Sequence, residues 1–217
     1  MRNVKSIAVL LSVLATGALA GEPLRTVQDM QRNRIWALET DAVYLQEGTQ
    51  KRRFELPGWM HVSEDYSCRP DLAVDAEGAV VVTSNAVSIV WRVNPASGQV
   101  TRHELILDAD RGKDVGFTGL TYAADPGVFF AVSATHGTLW RIDPLLRRAQ
   151  KIPTSDVLRQ GCGLSVERTK TRRTVVLCVR GLPLPRRVYL APDQRSAYVR
   201  YEPCLEPAAG ADIAFVR

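Results

Sequence analysis

Apolar and polar positions alternate along this chain in short runs broken by Gly, Pro, Asp and Asn. That is a pattern of strands and tight turns. The clearest stretch begins with Asp71-Leu72-Ala73-Val74-Asp75, a short alternating strand, and the turn Ala76-Glu77-Gly78. Residues 79–83 are almost continuously apolar and β-branched, as a strand buried on both faces is. Residues 88–93 form a third run, and Asn94-Pro95-Ala96-Ser97-Gly98 makes a second turn. Residues 99–107 then alternate again as an outer strand. Together these runs predict one four-stranded antiparallel unit.

The unit recurs. Its second clear copy comprises residues 119–122, the turn Asp125-Pro126-Gly127, and strands at 128–132, 138–142 and 148–152. A looser copy has strands at 163–166, 173–179, 187–190 and 197–201. The first copy shows three strands, at 34–39, 42–45 and 52–56, and residues 26–31 read as a short turn or helix in an N-terminal extension. Equivalent positions Val43, Trp91, Trp140 and Val188 lie about 48 residues apart, a period expected of stacked β-repeats. Trp91 and Trp140 are accordingly expected in the core between repeats.

At Leu72-Ala73-Val74-Asp75-Ala76-Glu77-Gly78 and at Trp91-Arg92-Val93-Asn94-Pro95 the chain resembles the superfamily of NHL-repeat, gluconolactonase-like and quinoprotein-like β-propellers. Trp140-Arg141-Ile142-Asp143-Pro144 carries the second motif again. The resemblance implies an all-β, β-propeller-like domain of about four four-stranded antiparallel blades. The missing innermost strand of the first blade has a candidate in residues 211–216, whose pattern matches Asp71-Leu72-Ala73-Val74. Pairing it there would close the ring and remove two unpaired edges. An open ring would instead be completed by a partner or a second copy.

The ends and the composition add context. Arg2 and Lys5, an apolar run at 6–17 and Ala18-Leu19-Ala20 before Gly21 make a secretory signal peptide, residues 1–20. The expected organisation is therefore signal peptide 1–20, extension 21–33 and a single domain 34–217, secreted or periplasmic, with no membrane span after cleavage. The net charge of +5 is spread as arginine pairs along the chain, a solvated rim on strand edges. It lacks the interleaved aromatics of a nucleic-acid groove, and no nucleic-acid partner is expected. Four cysteines in an exported chain predict two disulfides. Three pairings are open; adjacent strands favour Cys162 with Cys178, leaving Cys68 with Cys204.

By analogy with propellers, the loops entering each innermost strand and those joining second to third strands gather on one face. The first set supplies Arg69, Asp71, Thr118 and Asp212, and the second Asp41, Asn85, His136 and Arg180. Arg69, Asp71, Asn85, Thr118, His136, Arg180 and Asp212 are the expected ligand-binding residues of a binding or accessory module, without cofactor. Its partner would be another exported protein, a peptide or a glycan. The resemblance to gluconolactonase-like propellers implies an alternative, a Ca²⁺- or Mg²⁺-dependent lactonase or esterase. Asp41, Asp71, Asn85 and Asp212 would then offer oxygen ligands to the metal. No catalytic residue is assigned: His61 and His103 read as surface groups and His136 as a turn residue. Trp36 and Trp59 fall outside the repeat pattern, and of the two Trp59, beside Pro57-Gly58, is the better candidate for an exposed contact.

Overall fold

The structure, a computed structural model, describes residues 22–63, 68–167, 174–181 and 184–205. Every regular element among them is a strand, and the strands form four antiparallel blades of a β-propeller. Blade one is β1 (Arg25–Asp29), β2 (Arg34–Leu38), β3 (Ala42–Glu47) and β4 (Gln50–Glu55). Blade two is β5 (Leu72–Val74), β6 (Val80–Thr83), β7 (Ile89–Val93) and β8 (Val100–Glu104). The short strand β9 (Ile106–Leu107) precedes blade three, which is β10 (Gly119–Ala123), β11 (Val128–Ser133), β12 (Thr138–Ile142) and β13 (Arg148–Ile152). Blade four is β14 (Gly161–Glu167), β15 (Val176–Gly181), β16 (Arg186–Leu190) and β17 (Ala197–Arg200).

Two elements differ from the sequence reading. Residues 25–29 form the innermost strand of blade one, pairing with β2 from Arg25↔Leu38 to Asp29↔Arg34. The predicted turn or helix at 26–31 is therefore a strand as far as Asp29 and a turn only from Met30 on, and the place expected for residues 211–216 is filled by β1. That C-terminal segment lies outside the described residues. The predicted outer strand 99–107 also divides. It breaks at buried Leu105, whose N–H donates to Ser88 O, and β9 crosses to blade three. There it pairs parallel with β13, so the outer edge of blade three is covered.

Alternation along each strand sends one set of side chains into each seam between blades. Among the described residues the apolar core has three sections. Trp36, Val43, Leu45, Val82 and Trp91 fill the seam between blades one and two. Phe117, Leu120, Phe129, Ala131 and Trp140 fill the next, and Val132, Leu139, Leu164, Leu177 and Val188 the third. Trp91 and Trp140 are both fully buried, as their repeat positions required. Gly119 permits a close approach of blades three and four: a Cβ there would stand 2.8 Å from the Gly163 carbonyl carbon.

The fourth seam is different. Blades four and one share none of these apolar sections, and Arg25 of β1 spans the gap by donating to the Cys162 carbonyl. The outward face of blade four is crossed by the segment after β17. Glu202 pairs with Arg187 and accepts from Tyr189, Cys204 bonds Cys178, and Leu205 N donates to Glu167. This strap runs from the outer strand toward the inner one, covering a face that no neighbouring blade buries.

The disulfides are Cys68–Cys162 and Cys178–Cys204, which overturns the favoured pairing. Cys178 lies opposite Ser165 in the β14–β15 ladder, three positions along from Cys162. At about 3.3 Å per residue that offset is beyond disulfide reach. Cys162 instead sits at a register shift between Gly161 and Gly163, where it meets the loop leading into blade two. No helix among the described residues is long and apolar enough to cross a membrane.

Candidate functional site

The loops expected to form the binding face do come together at one end of the ring, but they are packed shut. Asp71 is buried: its Oδ1 accepts from Leu72 N at 2.9 Å and its Oδ2 from Leu120 N at 2.8 Å. Its carboxylate lies 3.7 Å from Arg25 Nε, so a buried charge has a charged neighbour and two backbone donors. Thr118, also buried, donates to Gly161 O at 2.7 Å and accepts from Ala134 N at 3.0 Å. Thr83 does the same at the preceding seam, donating to Phe117 O at 2.9 Å. Both side chains bridge adjacent blades.

Asn85 holds a loop. Its carboxamide accepts from Val62 N and donates to Val62 O and Cys68 O, each at 2.9 Å. Trp59 is half-buried rather than free: its indole donates to Thr83 O at 2.9 Å and its ring stacks on His61. Ser84 adds a bond to Met60 O. With the Cys68–Cys162 bond, these contacts strap the described segments of the chain between blades one and two over the axis. Arg69 joins them by donating to Leu24 O at 3.5 Å. His136 bridges to Asp114 O at 2.9 Å.

Asp41 stands apart from this cluster. It lies exposed on the rim of blade one, bonded to Arg53 and Tyr44. Arg53 is held in its charged form by hydrogen bonds to Glu55 and Asp41, which raise its pKa. Asp41, Asp71 and Asn85 thus occupy three separate bonding environments, and Asp212 lies outside the described residues. The grouping of potential metal ligands found among the described residues is Glu167 with Cys178 and Cys204. Those two sulfurs are bonded to each other, which removes both as thiolate ligands.

A cavity of about 410 Å³ runs along the axis, walled by the inner strands. Exposure along its walls rises in one direction. Arg25 and Asp71 are buried at one end, while Met30, Gln31, Arg32, Ala76 and Ala124 are exposed at the other. The cavity therefore opens on the side of the β1–β2, β5–β6 and β10–β11 turns, opposite the strapped loops. Its volume is within the range of small-molecule sites. A cleft of similar size, about 450 Å³, lies on the outer edge of blade three, away from the axis.

Of the residues expected from sequence, Asp71 and Arg180 line the axial cavity; Thr26, Gln28, Gln31 and Tyr122 line it too, beyond those the sequence reading names. Thr26 and Gln28 lie in β1, whose sequence Arg-Thr-Val-Gln-Asp reads equally well as an N-terminal extension, and Gln31 lies in the turn that follows. Arg32 and Arg34 secure this wall. Arg34 pairs with Asp29 at 2.9 Å and donates to Gly78 O, while Arg32 donates to Ala76 O at 2.7 Å.

No family model matches this sequence, and neither does any curated protein. Solved structures do match in shape. Virginiamycin B lyase from Staphylococcus aureus superposes with a TM-score of 0.60 at 14% identity, over 82% of this chain and 54% of that one. Hydrazine synthase from Kuenenia stuttgartiensis gives 0.55 at 11% identity, over 88% and 53%. An auxiliary nutrient binding protein from Bacteroides thetaiotaomicron also gives 0.55 at 11%, over 82% and 42%. What they share with this chain is the β-propeller fold. The chain spans about half the length of the lyase and synthase structures and less of the binding protein.

Proposed function

We propose that this chain is an exported binding module that takes its ligand, a peptide or glycan segment presented by an exported partner, into the axial cavity. Propeller neighbours include both a lyase and a binding protein, so the fold is compatible with either class. One observation carries the choice. The polar groups Asp71, Thr118 and Asn85 are spent on holding backbone across seams and loops, whereas the open end of the cavity offers Gln28, Gln31 and Tyr122. Amide and phenol groups around an apolar wall of Val27, Leu72 and Leu120 suit recognition of a partly polar ligand. Two disulfides fit an oxidising, extracytoplasmic compartment.

The test is isothermal titration of the secreted protein against peptide and oligosaccharide panels, repeated with Gln28→Ala and Tyr122→Ala. The proposal expects a saturable ligand whose affinity falls in both variants while their melting temperatures stay near the parent's. Ligand binding unchanged by both substitutions would place recognition elsewhere. Turnover of a bound ester or lactone, lost on chelation of divalent cations, would favour the hydrolase reading. The amino terminus of the exported protein, determined by sequencing, is expected at Gly21.

A further inference from the structure

Resting on that binding reading, we infer that the buried end of the axial cavity is a carboxylate site, with Arg180 as the residue that recognises the charge. The charges in the cavity wall do not all pair with one another. Among the described residues, six charged side chains line the cavity: Arg25, Asp29, Arg32, Asp71, Asp75 and Arg180. Arg25 lies against Asp71 at 3.7 Å, Arg32 against Asp29 at 3.3 Å, and Asp75 pairs outward with Arg92 at 2.8 Å. Arg180 is left over. Its guanidinium has no hydrogen-bond or ion-pair partner among the described residues, although it is half-buried.

The fold explains why a cation stands there. Arg180 pairs with Gly163 across β14–β15, on the face of blade four turned away from the blade-three core. Its stem passes over a residue with no side chain. A Cβ placed on Gly163 would lie 3.9 Å from Arg180 Cβ and 3.8 Å from Arg25 Nη2, so the two arginines meet over that glycine. This is the axial end of the one seam without an apolar core among the described residues, and Thr26 and Gln28 of blade one line the cavity with it.

A single uncompensated guanidinium in a partly desolvated cavity matches a monoanion, and its planar fork matches a carboxylate. The remaining wall, Val27, Leu72 and Leu120 with Met30 at the mouth, accepts an apolar body. The ligand class is therefore a small amphipathic monocarboxylate, either a free organic acid or the carboxyl terminus of a peptide.

Calorimetry of the intact protein with two matched pairs tests this: hexanoate against hexanamide, and N-acetyl-Ala-Leu against its carboxamide. Each acid is expected to bind at least about tenfold more tightly than its amide, the effect of one charge-assisted hydrogen-bonded contact. Arg180→Gln should abolish that preference, and Arg180→Lys should retain some of it. The pair that shows the preference identifies the source of the carboxylate. Equal binding of acid and amide by the unmodified protein overturns the inference without any variant, and so does an undiminished preference in Arg180→Gln. If no probe binds, the carboxylate site fails, while the broader module reading still stands or falls on the Tyr122→Ala titrations against the peptide and oligosaccharide panels.

Discussion

The Asp71 carboxylate accepts the Leu120 N–H at 2.8 Å across the seam between blades two and three. A side chain thereby extends the hydrogen bonding of one inner strand to the next. Asp71 also faces Arg25 of blade one at 3.7 Å, so a single carboxylate touches three blades. Asp71→Ala would strand the Leu120 N–H and leave the Arg25 charge with one acceptor fewer. Breaking a buried pair from one side costs about 3–5 kcal/mol. Asp71→Asn keeps an acceptor oxygen and should cost less. Urea denaturation checks the order; a midpoint unchanged in Asp71→Ala would remove the structural role assigned to this carboxylate.

The same observation separates stability from metal binding. If Asp71 and Asn85 act by holding backbone, EDTA should leave the melting temperature of the unmodified protein in place. A metal site at those residues predicts the opposite, a fall on chelation reversed by Ca²⁺ or Mg²⁺. A cation held at about 100 times its dissociation constant would contribute roughly 2.7 kcal/mol, a shift readily seen by differential scanning calorimetry.

The two disulfides differ in what they close. Cys68–Cys162 spans 94 residues and ties the loop before blade two to the inner strand of blade four, while Cys178–Cys204 spans 26 within one blade. In the chain-entropy picture the longer loop contributes about 4.7 kcal/mol and the shorter about 3.5 kcal/mol. Replacing both cysteines of the first pair by serine should therefore lower the urea midpoint more than replacing the second pair. The reverse order would mean that the strap over blade four matters more than the tie across the axis.

How far the fold can be read from sequence follows from where each strand finds its partners. Trp91 and Trp140 lie in strands that are apolar on their core side, so local alternation reveals them. Residues 25–29 carry only one apolar side chain, Val27, and the positions they bury are the charged Arg25 and Asp29. Their burial depends on Asp71 and Arg34, and the first of these is a blade away in sequence. The Cys68–Cys162 bond is equally non-local, because it joins the loop before blade two to the inner strand of blade four. The strapped face is legible as a loop face. Its closure comes from carboxamide and hydroxyl contacts with backbone, which residue type alone does not distinguish from ligand contacts.

Asp110 and His103 respond to acid in separate windows. Hydrogen bonds from Lys113 and Lys151 hold the Asp110 carboxyl down at about 2 against an ordinary 3.8. A carboxylate depressed in the folded state adds stability above its unfolded value, lost as pH falls through the folded one. Burial, with the nearby Arg92 charge, lowers the His103 pKa below its ordinary 6.5. Here the unfolded chain binds the proton first, so stability begins to fall as pH drops below about 6.5. His103→Gln should flatten the mild slope just below neutrality, and Asp110→Asn should reduce the slope between about 4 and 2, to which Asp156 and Glu202, also lowered, contribute. Melting temperatures across pH 2 to 7 resolve the two windows.

Thr83 and Thr118 make the last prediction, because they are one device used twice. Each hydroxyl has a single proton. In Thr83 the shorter donated bond runs to Phe117 O at 2.9 Å, and in Thr118 to Gly161 O at 2.7 Å. Each also accepts a backbone N–H, from Asp71 and Ala134 respectively. Substitution by valine keeps the shape and removes the hydroxyl, leaving buried backbone groups unsatisfied at about 1–3 kcal/mol each. Since the two sites join different pairs of blades, the double variant tests whether the ring unfolds as one unit. Losses that add in a single cooperative transition place both seams in one folding unit. Two separated transitions would mean that blades one and two detach from blades three and four, with Thr83 sitting at the boundary.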